Sequence, residues 1–124
     1  MLTGDFFNIE NLSQDNGSIK ADIRLNAGHR IYSGHFPGMP VVPGVCQIQI
    51  IKEVLCSCES DPALLSEAKV CKFINMMNPS DVSGLTCAIT REELPGGGIS
   101  VSGTLSDTNR TYLKIKGILR KENG

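Results

Sequence analysis

The stretch from Gly34 to Glu59 reads Gly-His-Phe-Pro-Gly-Met-Pro-Val-Val-Pro-Gly-Val-Cys-Gln-Ile-Gln-Ile-Ile-Lys-Glu-Val-Leu-Cys-Ser-Cys-Glu and changes character at its middle. Up to Pro43 the prolines and glycines rule out regular helix and central strand, because proline lacks an N–H and fixes its own φ. This part belongs to a long loop that starts near Asn26, and long loops in small domains tend to carry function. From Val45 to about Glu59 the pattern turns helical, with Pro43 and Gly44 suited to the first turn. On a helical wheel Cys46, Ile48, Ile50, Ile51, Val54, Leu55 and Cys58 form an apolar face wider than a surface helix needs. Gln49, Lys52 and Glu53 make the polar stripe, and Gln47 falls inside the apolar face. Such a helix is expected to be wrapped by the rest of the chain.

Working outward, the flanking sequence reads as strands. Asp5 to Asn11 is a short first strand, and Asp15-Asn16-Gly17 is a turn. Ile19, Ala21, Ile23 and Leu25 then alternate with Lys20, Asp22 and Arg24, the period of two expected of an antiparallel strand with one face buried. Beyond the helix, Asp61-Pro62 is a stop and Ala63 to Glu67 reads as a short helical turn or connection. Ala68 to Asn75, Leu85 to Glu92, Ile99 to Ser106 and Tyr112 to Arg120 read as four more strands. The expected fold class is α+β: one curved antiparallel sheet wrapped around a long central helix, in a single domain over residues 1–124.

Composition narrows the function classes. A net charge of -1 gives no basic excess for nucleic acid, and no apolar run is long enough to span a bilayer. The N-terminal residues Met1 to Asp5 lack the pattern of a secretory signal, so a soluble, cytoplasmic protein is expected. Five cysteines (Cys46, Cys56, Cys58, Cys71 and Cys87) with only two histidines do not match metal-ligand spacing. They read as reduced thiols in the core, with no metal or cofactor.

The loop before the helix holds the chemistry. An imidazole titrates near neutrality and suits proton transfer, and His35 sits among residues that restrict the backbone. The first N–H groups of the helix are unpaired and carry the positive end of its dipole, so they can hold a carbonyl oxygen as charge develops on it. A base and an oxyanion donor together are the least that removal of a proton α to a carbonyl requires. A histidine in a loop can equally be a hydrogen-bonded structural residue.

The elements His35-Phe36-Pro37-Gly38 and Pro43-Gly44 resemble the signature of the β-hydroxyacyl-ACP dehydratases, the FabZ and FabA families of hot-dog fold. Val45-Cys46-Gln47-Ile48 and the lead-in His29-Arg30-Ile31-Tyr32-Ser33 look like the aryl-polyene-type branch of thioester dehydratases. Lys72-Phe73 and Asn78-Pro79-Ser80-Asp81 sit where the dehydratases carry a Lys-Phe strand and a Pro-Gly-Asp turn. The resemblance implies His35 as catalytic base and the Gly44 N–H as oxyanion donor. It implies Phe36, Pro37, Gly38, Pro43 and Val45 around the acyl chain. It also implies a 3-hydroxyacyl thioester substrate on acyl carrier protein or CoA, in fatty-acid or polyene-type lipid synthesis, and a homodimer.

One position departs from that pattern. The family carries Glu or Asp 14 residues after its histidine, and this chain has Gln49 there. An amide can hydrogen-bond a hydroxyl or a water but cannot supply its proton. Three readings follow: His35 serves as both base and acid while Gln49 orients substrate; another acid such as Glu53 substitutes; or the chain is a non-catalytic acyl-binding or heterodimer subunit. An acyl-thioester hydrolase is a further alternative, weakened by the same missing carboxylate. Glu53 itself reads as a solvated carboxylate beside Lys52, and His29 as a loop or surface residue. Gln47 either braces the loop around His35 or bonds to nearby backbone.

Overall fold

In a computed structural model the protein is described for residues 4–26, 28, 41–58, 63–79, 82 and 84–121, with side chains described except at 56, 58, 63–69 and 119–121. Six strands and one helix follow in the order β1 (Phe7–Asp15), β2 (Ser18–Leu25), α1 (Gly44–Cys58), β3 (Ala63–Phe73), β4 (Gly84–Glu93), β5 (Gly98–Ser106) and β6 (Thr111–Lys121). The strands make one sheet in the order β1-β2-β4-β5-β6-β3, every pair antiparallel. The helix lies against β1, β2, β4 and β5, as a broadly apolar helix and half-buried strands require.

Alternation sets the register. Ile19, Ala21, Ile23 and Leu25 are buried on β2, and Leu85, Cys87 and Ile89 on β4. Ile23 pairs with Leu85 and Ala21 with Cys87, so these rows meet on one face. On β5, Ile99, Val101 and Leu105 are buried together with Gly103. A Cβ at Gly103 would stand 3.3 Å from the Ile51 side chain, which marks the point where helix and sheet come closest. Ile50 and Val54 are fully enclosed there.

Two turns follow from local chemistry. Asn16 and Gly17, both at positive φ (44° and 83°), join β1 to β2 in the mirror-image turn that matches the strand twist. Asp107 turns the chain between β5 and β6. Its carboxylate accepts from the Tyr112 hydroxyl at 2.6 Å and from the Asn109 and Arg110 N–H groups at 2.8 Å each. These donors, the Tyr112 hydroxyl foremost, hold the Asp107 carboxyl below its ordinary value.

The structure corrects two element readings. β1 starts later than expected and runs on to Asp15 through a bulge between Glu10 and Ser13, where Asn11 takes a φ of 49°. Residues 63–67 are strand and not a helical turn. They lengthen β3, pairing Ala63 with Lys121 and Leu65 with Leu119, across register shifts that hide any clean alternation. The far end of β6 supplies partners that no local propensity announces. Among the described residues no helix is long and apolar enough to cross a membrane.

Candidate functional site

The site is assembled around the first turn of α1. Val42 N–H donates to the Met77 carbonyl at 2.8 Å, which ties the chain entering the helix to the segment after β3. Pro43 then offers its carbonyl to the N–H groups of Cys46 at 3.0 Å and Gln47 at 3.1 Å, closing the first turn. No backbone carbonyl among the described residues takes the N–H of Gly44 or Val45. Both donors lie at the positive end of the helix dipole, where an acceptor is favoured.

These donors border an open, mostly apolar pocket of about 540 Å³ lined by Val41, Val42, Pro43, Gly44, Val45, Ile48 and Phe73. A second pocket, of about 460 Å³, adjoins it, sharing Val41, Val42, Gly44 and Phe73 and adding Gln47 and residues 74–77. The Phe73 ring lies on Gly44: a Cβ there would meet its Cζ at 2.8 Å. Glycine at this position lets the aromatic ring close over the helix start. Sequence reading placed Phe73 on a strand without giving it this role, and only the bare Gly44 hinted at a close neighbour.

Around the pocket mouth the surface is unusually apolar. Val45 is 76% exposed, Met76 65%, Phe73 52% and Ile74 47%. They lie beside β3, one of the sheet's two edge strands. Exposed apolar side chains beside an open strand edge favour association with another chain.

The two helix amides have different fates. Gln47 is buried, and its Nε2 donates to the Val42 carbonyl at 3.1 Å. The bond goes to backbone two residues before the helix, and the loop around His35 lies outside the described residues. Its Oε1 is buried with no partner among the described residues, at a cost of about 1–3 kcal/mol. Gln49 is half-buried and does not line either pocket. Its Nε2 donates to Glu53 Oε2 at 3.0 Å.

Glu53 is the clearest correction to the sequence reading. It is only 2% exposed, not solvated beside Lys52. The spacing placed it on a polar stripe but could not say that the stripe would be covered. The thiols also divide: Cys46 and Cys87 are buried and Cys71 is exposed, all three free. Burial raises the Cys46 thiol and pushes the Cys87 thiol up to about 12, so both stay protonated near neutral pH. No group of His, Cys, Asp and Glu among the described residues is arranged to hold a metal ion. His29, His35, Phe36, Pro37 and Gly38 lie outside the described residues. The structure therefore brings together Pro43, Gly44 and Val45 of the expected site, with Gln49 turned along the helix.

Comparison with known proteins fits this geometry. The ApeI-like family, described as ApeI dehydratase, matches residues 11–98. A 3-hydroxyacyl-[acyl-carrier-protein] dehydratase FabZ of Clostridium acetobutylicum is 31% identical over 75 residues, 55% of this chain. The chain spans about half, 53%, of the length of that curated relative. Among solved structures, the dehydratase heterocomplex ApeI:P of Xenorhabdus doucetiae has a TM-score of 0.71 at 20% identity, over 90% of this chain and 96% of that one. The PaaI protein of the E. coli phenylacetic acid degradation operon has 0.68 at 13% identity, over 95% and 80%. A thioesterase of Haemophilus influenzae has 0.63 at 12% identity, over 98% and 82%. At these identities the structural likenesses establish the hot-dog fold.

Proposed function

This chain belongs to the ApeI-like dehydratase family, and from that membership we propose that it removes water from a 3-hydroxyacyl thioester carried on acyl carrier protein or CoA, in fatty-acid or polyene-type lipid synthesis in the cytoplasm. The observation that carries the reading is the Gly44 N–H at the head of α1, which no backbone carbonyl among the described residues takes and which borders an apolar pocket of suitable size for an acyl chain.

In this mechanism the thioester carbonyl oxygen accepts from the Gly44 N–H. The imidazole of His35 takes a proton from the α-carbon, and negative charge passes to the carbonyl oxygen held at the helix start. The imidazolium of His35 then returns the proton to the 3-hydroxyl. The bond from the β-carbon to oxygen breaks, the α–β double bond forms and water leaves. Gln49 holds the hydroxyl by a hydrogen bond and changes protonation at no step. Phe36, Pro37, Gly38, Pro43 and Val45 shape the path of the chain, with no metal or cofactor taking part.

The exposed apolar residues Val45, Phe73, Ile74 and Met76 beside the β3 edge support a dimer, with a second copy covering them. The test uses purified protein with 3-hydroxyacyl- and 2-enoyl-carrier-protein thioesters, following hydration and thiol release together. Interconversion without thiol release is expected. Thiol release would assign a hydrolase instead, and neither reaction would assign an acyl-binding or heterodimer subunit.

A further inference from the structure

We infer that Glu53 is a positioning residue of this site: its buried carboxylate fixes the Gln49 amide so that Oε1 is the end offered to substrate. This rests on the dehydratase reading above and adds to it the group that makes an amide usable at position 49.

The case starts from an amide with two chemically opposite ends. The Gln49 Nε2 donates to Glu53 Oε2 at 3.0 Å, so the nitrogen end of the amide is the one committed to the helix and the oxygen end is the one left over. Turning the amide over would give up that bond and set Oε1 against Oε2. With Glu53 only 2% exposed, water is not at hand to replace the bond, and a hydrogen bond is strengthened by low-dielectric surroundings. The two residues are four apart on one helix and so adjacent on one face. No other side-chain hydrogen bond of Gln49 is made among the described residues, which leaves Oε1 as an acceptor.

An oriented acceptor has a defined use in the elimination. The 3-hydroxyl donates its hydrogen to Oε1, and its lone pairs are left to take the proton from the His35 imidazolium. An amide free to rotate would as often offer its NH2 group, which would occupy those lone pairs. Burying a carboxylate on a helix is costly unless it is well paired, and Glu53 is buried on the same helix whose neighbouring positions are filled by Ile50 and Val54. A further consequence runs against intuition. Restoring the family's acid as Gln49→Glu would bring two carboxylates together in place of the donor–acceptor pair, and so would not improve the enzyme.

Steady-state kinetics of carrier-protein thioester interconversion test this on Glu53→Gln, Gln49→Glu and the exchange Gln49→Glu with Glu53→Gln. Each single change is expected to lower kcat about tenfold or more with KM changed little, as misplacement of a reacting group does. The exchange rebuilds a carboxylate–amide pair in reverse and is expected to recover wild-type kcat or exceed it. A purely structural Glu53 would lower Tm in Glu53→Gln and leave kcat intact, which overturns the assignment. So does a rise in kcat for Gln49→Glu alone, or an exchange that stays as slow as the single variants. If Glu53→Gln does not fold, Gln49→Glu decides: a fall supports the assignment and a rise overturns it. A wild-type protein without turnover overturns the dehydratase reading itself, and this assignment with it.

Discussion

At Ile50, Ile51 and Val54 the central helix is enclosed by the sheet, with Ile51 in close contact over Gly103. Two turns earlier, at Gly44 and Val45, the same helix has N–H groups that no backbone carbonyl among the described residues takes, a half-exposed phenylalanine over its first residue and a valine 76% exposed. The enclosed middle anchors the helix, while its start is packed on one side by Phe73 and otherwise open. On the proposed function, stability and chemistry are separated along one element, and substitutions at the two places should fail in different ways.

Ile50→Ala should have the largest effect on the fold. Removing a fully buried side chain from a packed core costs about 2–5 kcal/mol, visible as a lower midpoint in urea denaturation. Gly44→Ala should invert that outcome. Its methyl group must displace the far end of the Phe73 ring, which is half exposed and can swing outward. Folding stability should move by less than about 1 kcal/mol, as is usual for changes outside the core. Turnover should fall about tenfold or more, because the proposed oxyanion donor and the pocket wall shift together. Equal losses of stability at both positions would show that the helix start is as much core as its middle.

The smallest effect expected is one of reactivity. Alkylation followed by site-resolved mass spectrometry should modify the exposed Cys71 in the native state. Cys87, buried with its thiol raised to about 12, and the buried Cys46 should be spared until the protein unfolds. Rapid native labelling of Cys46 would show that the first turns of α1 open readily.

Much of the architecture was legible because its signals are periodic. Strands β2, β4 and β5 alternate strictly over their buried rows, and α1 shows its apolar face on a wheel. The first half of β3 was not legible, since its strand character depends on pairing with β6, about fifty residues away, across two register shifts. At the site, the start of α1 at Gly44 could be read from the Pro43-Gly44 pair, while the roles of Pro43 and Val45 came from the family resemblance. The burial of Glu53 could not, because spacing gives the face a residue occupies and not what covers that face. The contact between Phe73 and Gly44 was hidden for the same reason, as it joins two elements the local sequence does not connect.

The proposed elimination of water by His35 at this open helix end is tested most directly by the rate of 3-hydroxyacyl to 2-enoyl thioester conversion in His35→Ala beside the wild type, with Tm measured on both. The expected result is a fall of about a hundredfold or more at nearly unchanged Tm, the scale on which a general acid–base group acts. Conversion by His35→Ala at the wild-type rate would contradict the account.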